Sequence, residues 1–125
     1  MNAATAETRS SQRTAAEVLA NHIRAFAIGL DAILADYNES SILVTPDKTY
    51  KGLKDIGAFF GSFLEAATPE FWGAFQLHAN VVESGVGYIT WSSAPSMPLA
   101  TDTLVVRDGR IAVQTFTPFG GVERV

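Results

Sequence analysis

The stretch Thr101-Asp102-Thr103-Leu104-Val105-Val106-Arg107-Asp108-Gly109-Arg110-Ile111 decides the fold. Residues Leu99 to Arg107 and Ile111 to Thr117 are two runs rich in β-branched side chains, and Asp108-Gly109 lies between them. An Asp-Gly pair in that position marks a tight hairpin, because both central residues of such a turn need positive φ. With a two-residue loop Val106 faces Ile111, Leu104 faces Val113 and Asp102 faces Thr115. A one-residue bulge instead sets Asp102 opposite Gln114. Both registers are open at this level, and the choice decides whether Gln114 shares a sheet face with Asp102.

Upstream of the hairpin, Tyr88 to Ser93 and Glu70 to Glu83 read as two further strands. Before them the period changes. Leu53, Ile56, Phe59, Phe60, Phe63, Leu64 and Ala67 form one wide apolar helical face that Pro69 ends. A first helix starts at the capping box Thr14-Ala15-Ala16-Glu17, with Ala15, Val18, Leu19, His22, Ile23 and Phe26 at helical spacing, and fades at Gly29. A short second helix sets Leu30, Ile33, Leu34 and Tyr37 on one face, with Asp31, Ala35 and Asp36 on the other. Ser41 to Thr45 and Thr49 to Lys51 form a small hairpin about Pro46-Asp47-Lys48. Helices first and strands last predict an α+β domain over residues 14–125, with three N-terminal helices packed on an antiparallel sheet. Residues 1–13, rich in Ala, Thr and Ser, read as a loose tail without the apolar core of a secretory signal.

The composition narrows the function classes. At 125 residues the chain suits one domain, and 47% hydrophobic against 18% charged residues argues for a packed core. A net charge of −4, with no clustering of Lys or Arg, leaves nothing to neutralise a phosphate backbone, so nucleic acid is not expected as a partner. The apolar runs are too short for a membrane span. With no cysteine and two scattered histidines, no metal site and no cofactor are called for. A reducing cytoplasm fits the lack of cysteine. Val105, Trp72 or Trp91, and Phe116 cannot all point into one core, so a second copy is expected to cover the other sheet face as a homodimer.

The chain resembles the nuclear transport factor 2-like superfamily of SnoaL-like and ketosteroid isomerase-like proteins. The segments that carry the resemblance are Gly29 to Tyr37, Leu43 to Gly52, Ile56 to Phe60 and Thr101 to Ile111. It implies a cone, with the helices on a strongly curved sheet that encloses a pocket, and homodimers through the sheet. That scaffold hosts isomerases, dehydratases and cyclases as well as binding modules. The isomerase's general base would fall on Thr45, whose neutral hydroxyl cannot serve. Its oxyanion-donating acid would fall on Asp102, and the tyrosine of its first helix would fall near His22.

The residues agree on a candidate pair. Asp102 lies among Leu99, Leu104 and Val106, where burial raises a carboxyl pKa, and a neutral Asp102 would donate a hydrogen bond to a ligand oxyanion. A strand-end carboxylate in solvent is the plainer alternative. His22 lies one turn from Val18 and Phe26, so its ring faces inward and can act as acid or base, or be a core histidine held by a carbonyl. Tyr37, Phe26, Phe59, Trp91 and Leu104 are the expected lining, with Gln114 added under the bulged register. Trp72 and His78 read as packing or outer-face residues. The expected function is a small-molecule pocket protein, as an acid/base enzyme of isomerase, dehydratase or cyclase type on an apolar oxygenated substrate. The alternative is a noncatalytic ligand-binding or dimerisation module.

Overall fold

The computed structural model describes residues 12–120. Most of the expected tail, residues 1–11, therefore lies outside the described residues. Helix α1 (Ala15–Ala25) begins at the capping box: the Thr14 hydroxyl accepts from the Glu17 amide, and the Glu17 carboxylate accepts from the Thr14 amide. Helix α2 (Leu30–Leu34) follows, then β1 (Ile42–Val44) and β2 (Thr49–Lys51), and then helix α3 (Gly52–Ala66). A fourth helix, α4 (Pro69–Ala74), leads into β3 (Phe75–Glu83), β4 (Val86–Ser93), β5 (Met97–Arg107) and β6 (Arg110–Phe119).

Helix α4 corrects two expectations: four helices, not three, occur among the described residues, and Glu70 to Ala74 is not strand. Thr68 and Pro69 explain it. The Thr68 hydroxyl accepts from the Phe71 amide as an N-cap, and Pro69 at the first helical position loses no hydrogen bond. Pro69 ends one helix and opens the next.

The six strands run in the order β2-β1-β6-β5-β4-β3. All neighbours are antiparallel except β1 and β6, which pair in parallel, so the sheet is mixed rather than wholly antiparallel. Asp108 and Gly109 both take positive φ, 53° and 74°, as their hairpin requires. Register irregularities fall between Leu77 and Ala79, between Trp91 and Ser93, and between Val105 and Val106. Each bends its strand, and together they curve the sheet around the helices.

Leu19, Ile33, Leu43, Ile56, Leu104 and Ile111 are fully buried and form the centre of the core. Each contributes about 1.5–3 kcal/mol on transfer from water. Helix α1 packs on β4 and β5, and Gly87 lets it approach: a Cβ there would sit 3.2 Å from the Leu19 side chain. Asp36 departs from its expected exposed face, being wholly buried. Helix α2 ends at Leu34, so the helical wheel no longer applies at Asp36, and the turn carries both Asp36 and Tyr37 inward. Arg13 meets the Asp36 carboxylate at 2.6 Å, Asn21 donates to both of its oxygens, and Arg13 also reaches the Gly109 carbonyl at 2.7 Å.

Candidate functional site

The final hairpin builds the site. Val106 pairs with Ile111 as a two-residue loop dictates, but Val105 then pairs with Val113, leaving Ala112 as an extra residue in β6. One inserted residue turns all later side chains of that strand to the opposite face. Gln114 and Phe116 consequently join Leu104 and Asp102 on the concave side, with Leu104 opposite Gln114 and Asp102 opposite Phe116. Neither expected register is correct in detail. The bulge exists, but it lies on β6, and Gln114 reaches Asp102 diagonally.

A cavity of ≈ 60 Å³ lies between this concave face and helices α1, α3 and α4. Its polar lining is His22, Asp102 and Gln114; the rest is apolar or aromatic, including Phe26, Phe59, Trp91 and Phe116. Trp91 and Phe116 stack with planes 13° apart and both line the cavity, while Val105, next to the inward Leu104, faces the other side of the sheet, so these residues do not all enter one core.

Asp102 is buried, and its two oxygens accept different donors: the Trp91 indole N–H on Oδ1 at 2.8 Å and the Gln114 amide on Oδ2 at 2.8 Å. Gln114 in turn accepts the Tyr37 hydroxyl proton on Oε1. Burial raises the Asp102 pKa to about 6, and the Trp91 and Gln114 hydrogen bonds hold it from rising further. At neutral pH the group is therefore mainly a carboxylate, which suits its two donors. The expected neutral, hydrogen-bond-donating acid is not the form that this geometry favours. Burial and the nearby carboxylates raise the Tyr37 hydroxyl pKa well above its ordinary value, so it remains a donor.

His22 is buried against the rings of Phe26, Tyr37 and Phe60, and its Nδ1 has no hydrogen-bond partner. Burial lowers its pKa to about 4 against an opposing pull from Asp36, so the ring is neutral in neutral solution.

Of the residues singled out in the sequence, His22, Asp102, Phe26, Phe59, Trp91 and Gln114 meet at the cavity. Leu104 does not line it: fully buried, it belongs to the core beside the cavity. Tyr37 stands behind Gln114 and acts on the cavity through that amide. Thr45 is a turn residue, its hydroxyl donating to the Lys48 carbonyl and accepting from the Asp47 and Lys48 amides. His78 meets Ser92 at 2.7 Å and does not line the cavity. The sequence reading missed Ile89 and Phe116 in the sheet, Phe60 and Phe63 on α3, and Trp72 on α4 as lining. The helical spacing of Phe60 and Phe63 carried that signal, whereas Trp72 required recognition of α4.

No protein-family model matches the chain, and no curated protein matches it in sequence. Solved structures match it over most of its length. A SnoaL-like protein of unknown function from Burkholderia thailandensis is 21% identical, with a TM-score of 0.69 over 85% of this chain and 94% of that one. The fold is that of the nuclear transport factor 2-like superfamily. A candidate polyketide cyclase from Sinorhizobium meliloti is similar at 16% identity and a TM-score of 0.65, over 79% of this chain and 92% of that one. A de novo designed protein with a curved β-sheet reaches a TM-score of 0.69 at 13% identity, over 84% of each chain. A fold that can be designed afresh carries no particular chemistry, so function rests on the site. No described helix is long and apolar enough to cross a membrane, and no three His, Cys, Asp or Glu side chains among the described residues are placed to hold a metal ion.

Proposed function

We propose that the chain binds a small apolar molecule bearing a carbonyl or hydroxyl in this cavity and moves a proton on it, with Asp102 as general base. One observation carries the reading: a buried carboxylate whose donors among the described residues are both neutral faces an apolar cavity that it shares with an imidazole whose Nδ1 has no hydrogen-bond partner. A carboxylate has about four lone-pair sites, so two protein donors leave it able to accept a substrate proton. It would take that proton from a C–H beside a carbonyl. His22, neutral, would offer a hydrogen bond to the oxygen where negative charge develops. The proton returned at a different carbon gives an isomerisation; returned to a departing β-hydroxyl, which leaves as water, it gives a dehydration; returned to the alkoxide formed when the enolate carbon attacks a second carbonyl, it gives a cyclisation.

The test is exchange of α-hydrogens for deuterium in a panel of cyclic and aryl ketones, followed by NMR. Wild type should catalyse exchange with kcat/KM rising with pH through about 6. Asp102→Asn should lose at least about 100-fold. Equal exchange by both proteins would remove Asp102 as the base.

The small volume of the cavity favours a second reading, a noncatalytic binding module. Ordinary ligand pockets occupy roughly 300–1,000 Å³, against ≈ 60 Å³ here. Saturable ketone binding without exchange would establish it. For the outer sheet face we propose a homodimer, motivated by exposed Val81, Val86, Tyr88 and Leu99 on β3 to β5. Sedimentation at micromolar concentration should give twice the chain mass, and a monomer would refute the pairing.

A further inference from the structure

A second recess of ≈ 430 Å³ lies outside the cavity, against α3 and the sheet, with Tyr50, Ala58, Ser62 and Met97 on its walls. Phe59, Phe63 and Phe116 line both spaces and so form the partition between them. We propose that the recess is the outer half of one ligand site, and that its occupant is an elongated apolar molecule with its oxygen function at the inner end. This rests on the pocket reading given above. Three features support it.

The polar groups are segregated, for Asp102, Gln114 and His22 all lie in the inner space, whereas the recess offers mainly aromatic and thioether surface. A ligand matched to both would be polar at one end only. The partition is also the less buried part of the aromatic cluster. Phe59, Phe63 and Phe116 are half-buried while Phe60 behind them is buried, and Phe59 meets Phe116 through an edge contact at 6.1 Å. Turning one of those side chains would join the two spaces. Finally, the volumes are complementary: the inner space accepts little more than a functional group with its first ring atoms, and the recess supplies room for the body. Met97, unbranched and adaptable, suits a wall that must accept apolar surface of variable shape.

Titration calorimetry on the full chain with phenol, 4-propylphenol and 4-hexylphenol tests this. Each methylene that enters an apolar wall gains up to about fourfold in affinity, so wild type should bind 4-hexylphenol at least about tenfold more tightly than phenol. Ser62→Phe and Ala58→Phe fill the recess from exposed positions on α3. Each should reduce that gain to below about threefold while leaving phenol affinity within about twofold, with circular dichroism confirming the fold. Phenol binding with no gain along the series in wild type overturns the proposal and leaves the pocket reading standing. So does a gain that persists in a folded, filled variant. Ser62→Phe changing the sedimented mass but not the alkylphenol series would likewise overturn it, assigning the recess to a second copy of the chain. Failure of wild type to bind any of the three phenols overturns the proposal together with the pocket reading. If neither variant folds, the wild-type series alone decides.

Discussion

Two buried carboxylates, Asp36 and Asp102, are treated in opposite ways by the same fold. Asp36 closes the seam between the helices and the last hairpin, where the Arg13 guanidinium, the Asn21 amide and the Ile111 backbone contact surround it. Its charge is matched by a full opposite charge. Asp102 stands at the cavity with only an indole N–H and a primary amide, both neutral. A charge that is fully compensated holds a structure together, whereas one left partly uncompensated in a cavity retains reactivity toward something that enters. The difference predicts that disturbing the first site costs stability and disturbing the second costs function.

The strongest way to break that contrast is Arg13→Met. It leaves Asp36 buried with Asn21 as its remaining side-chain donor, and removing one partner of a buried pair costs about 3–5 kcal/mol. Urea unfolding at pH 7 should show a loss of that order, partly recovered when Asp36→Asn is added. An unchanged midpoint in Arg13→Met would reduce the ion pair to a surface contact and dissolve the contrast. The folded fraction should keep its ligand affinity, because Arg13 lies outside the cavity lining.

The pH dependence of stability sharpens the comparison at the cavity itself. Asp102 has its pKa raised from 3.8 to about 6, so on acidification the folded state takes up this proton before the unfolded state does. Stability from Asp102 is therefore fully present below about 4 and lost as pH rises through 6, by about 3 kcal/mol. His22 has the opposite sign. Its pKa falls from 6.5 to about 4, so its contribution is fully present above 6.5 and is lost as pH falls toward 4, again by about 3 kcal/mol. The two windows overlap, and in the wild type their slopes nearly cancel between pH 4 and 6. Compared with wild type at the same pH values, His22→Phe should gain stability on acidification and Asp102→Asn should lose it. Urea titrations at several pH values check this, and parallel curves for all three proteins would contradict the burial of both groups.

How far the site was legible follows from what kind of signal placed each residue. The Thr14 to Glu17 cap, the Asp108-Gly109 turn and the aromatic face of α3 are local patterns whose chemistry is complete within a few residues, and each forms where the pattern puts it. His22 followed from helical periodicity in the same way. Asp102 was located through strand reading and the resemblance together. Gln114 was not decidable, because the extra residue at Ala112 is a compromise between the turn and the sheet that carries no sequence mark of its own. Asp36 was misplaced because periodicity cannot tell that a helix has already ended. Trp72 escapes the periodicity because Pro69 marks the end of one apolar helical face, while Thr68 beside it caps the start of another helix. The exchange between neutral and ionised Asp102 was beyond the sequence altogether, since it depends on which donors the folded chain brings to its two oxygens.

The smallest expected effect separates the two carboxylates most directly, because it reverses sign between them. At pH 7 Asp102→Asn removes a buried charge whose ionisation costs the fold about 3 kcal/mol. Against that gain stand two hydrogen bonds weakened from charge-assisted to neutral. The new amide can still accept the Trp91 indole N–H on its oxygen. Its NH₂ can donate to Gln114 if that side chain turns its amide, with the Tyr37 hydroxyl oxygen accepting from Gln114 instead. The turned Tyr37 hydroxyl then loses its acceptor, which costs about 1–2 kcal/mol on the scale of a single buried polar group. A net gain of about 1 kcal/mol remains, measurable as a shift of the urea midpoint at constant slope. Asp36→Asn should move the midpoint the other way, since it strands the Arg13 charge beside a neutral amide. If both substitutions destabilise equally, Asp102 is as structural as Asp36 and the contrast between the two carboxylates fails.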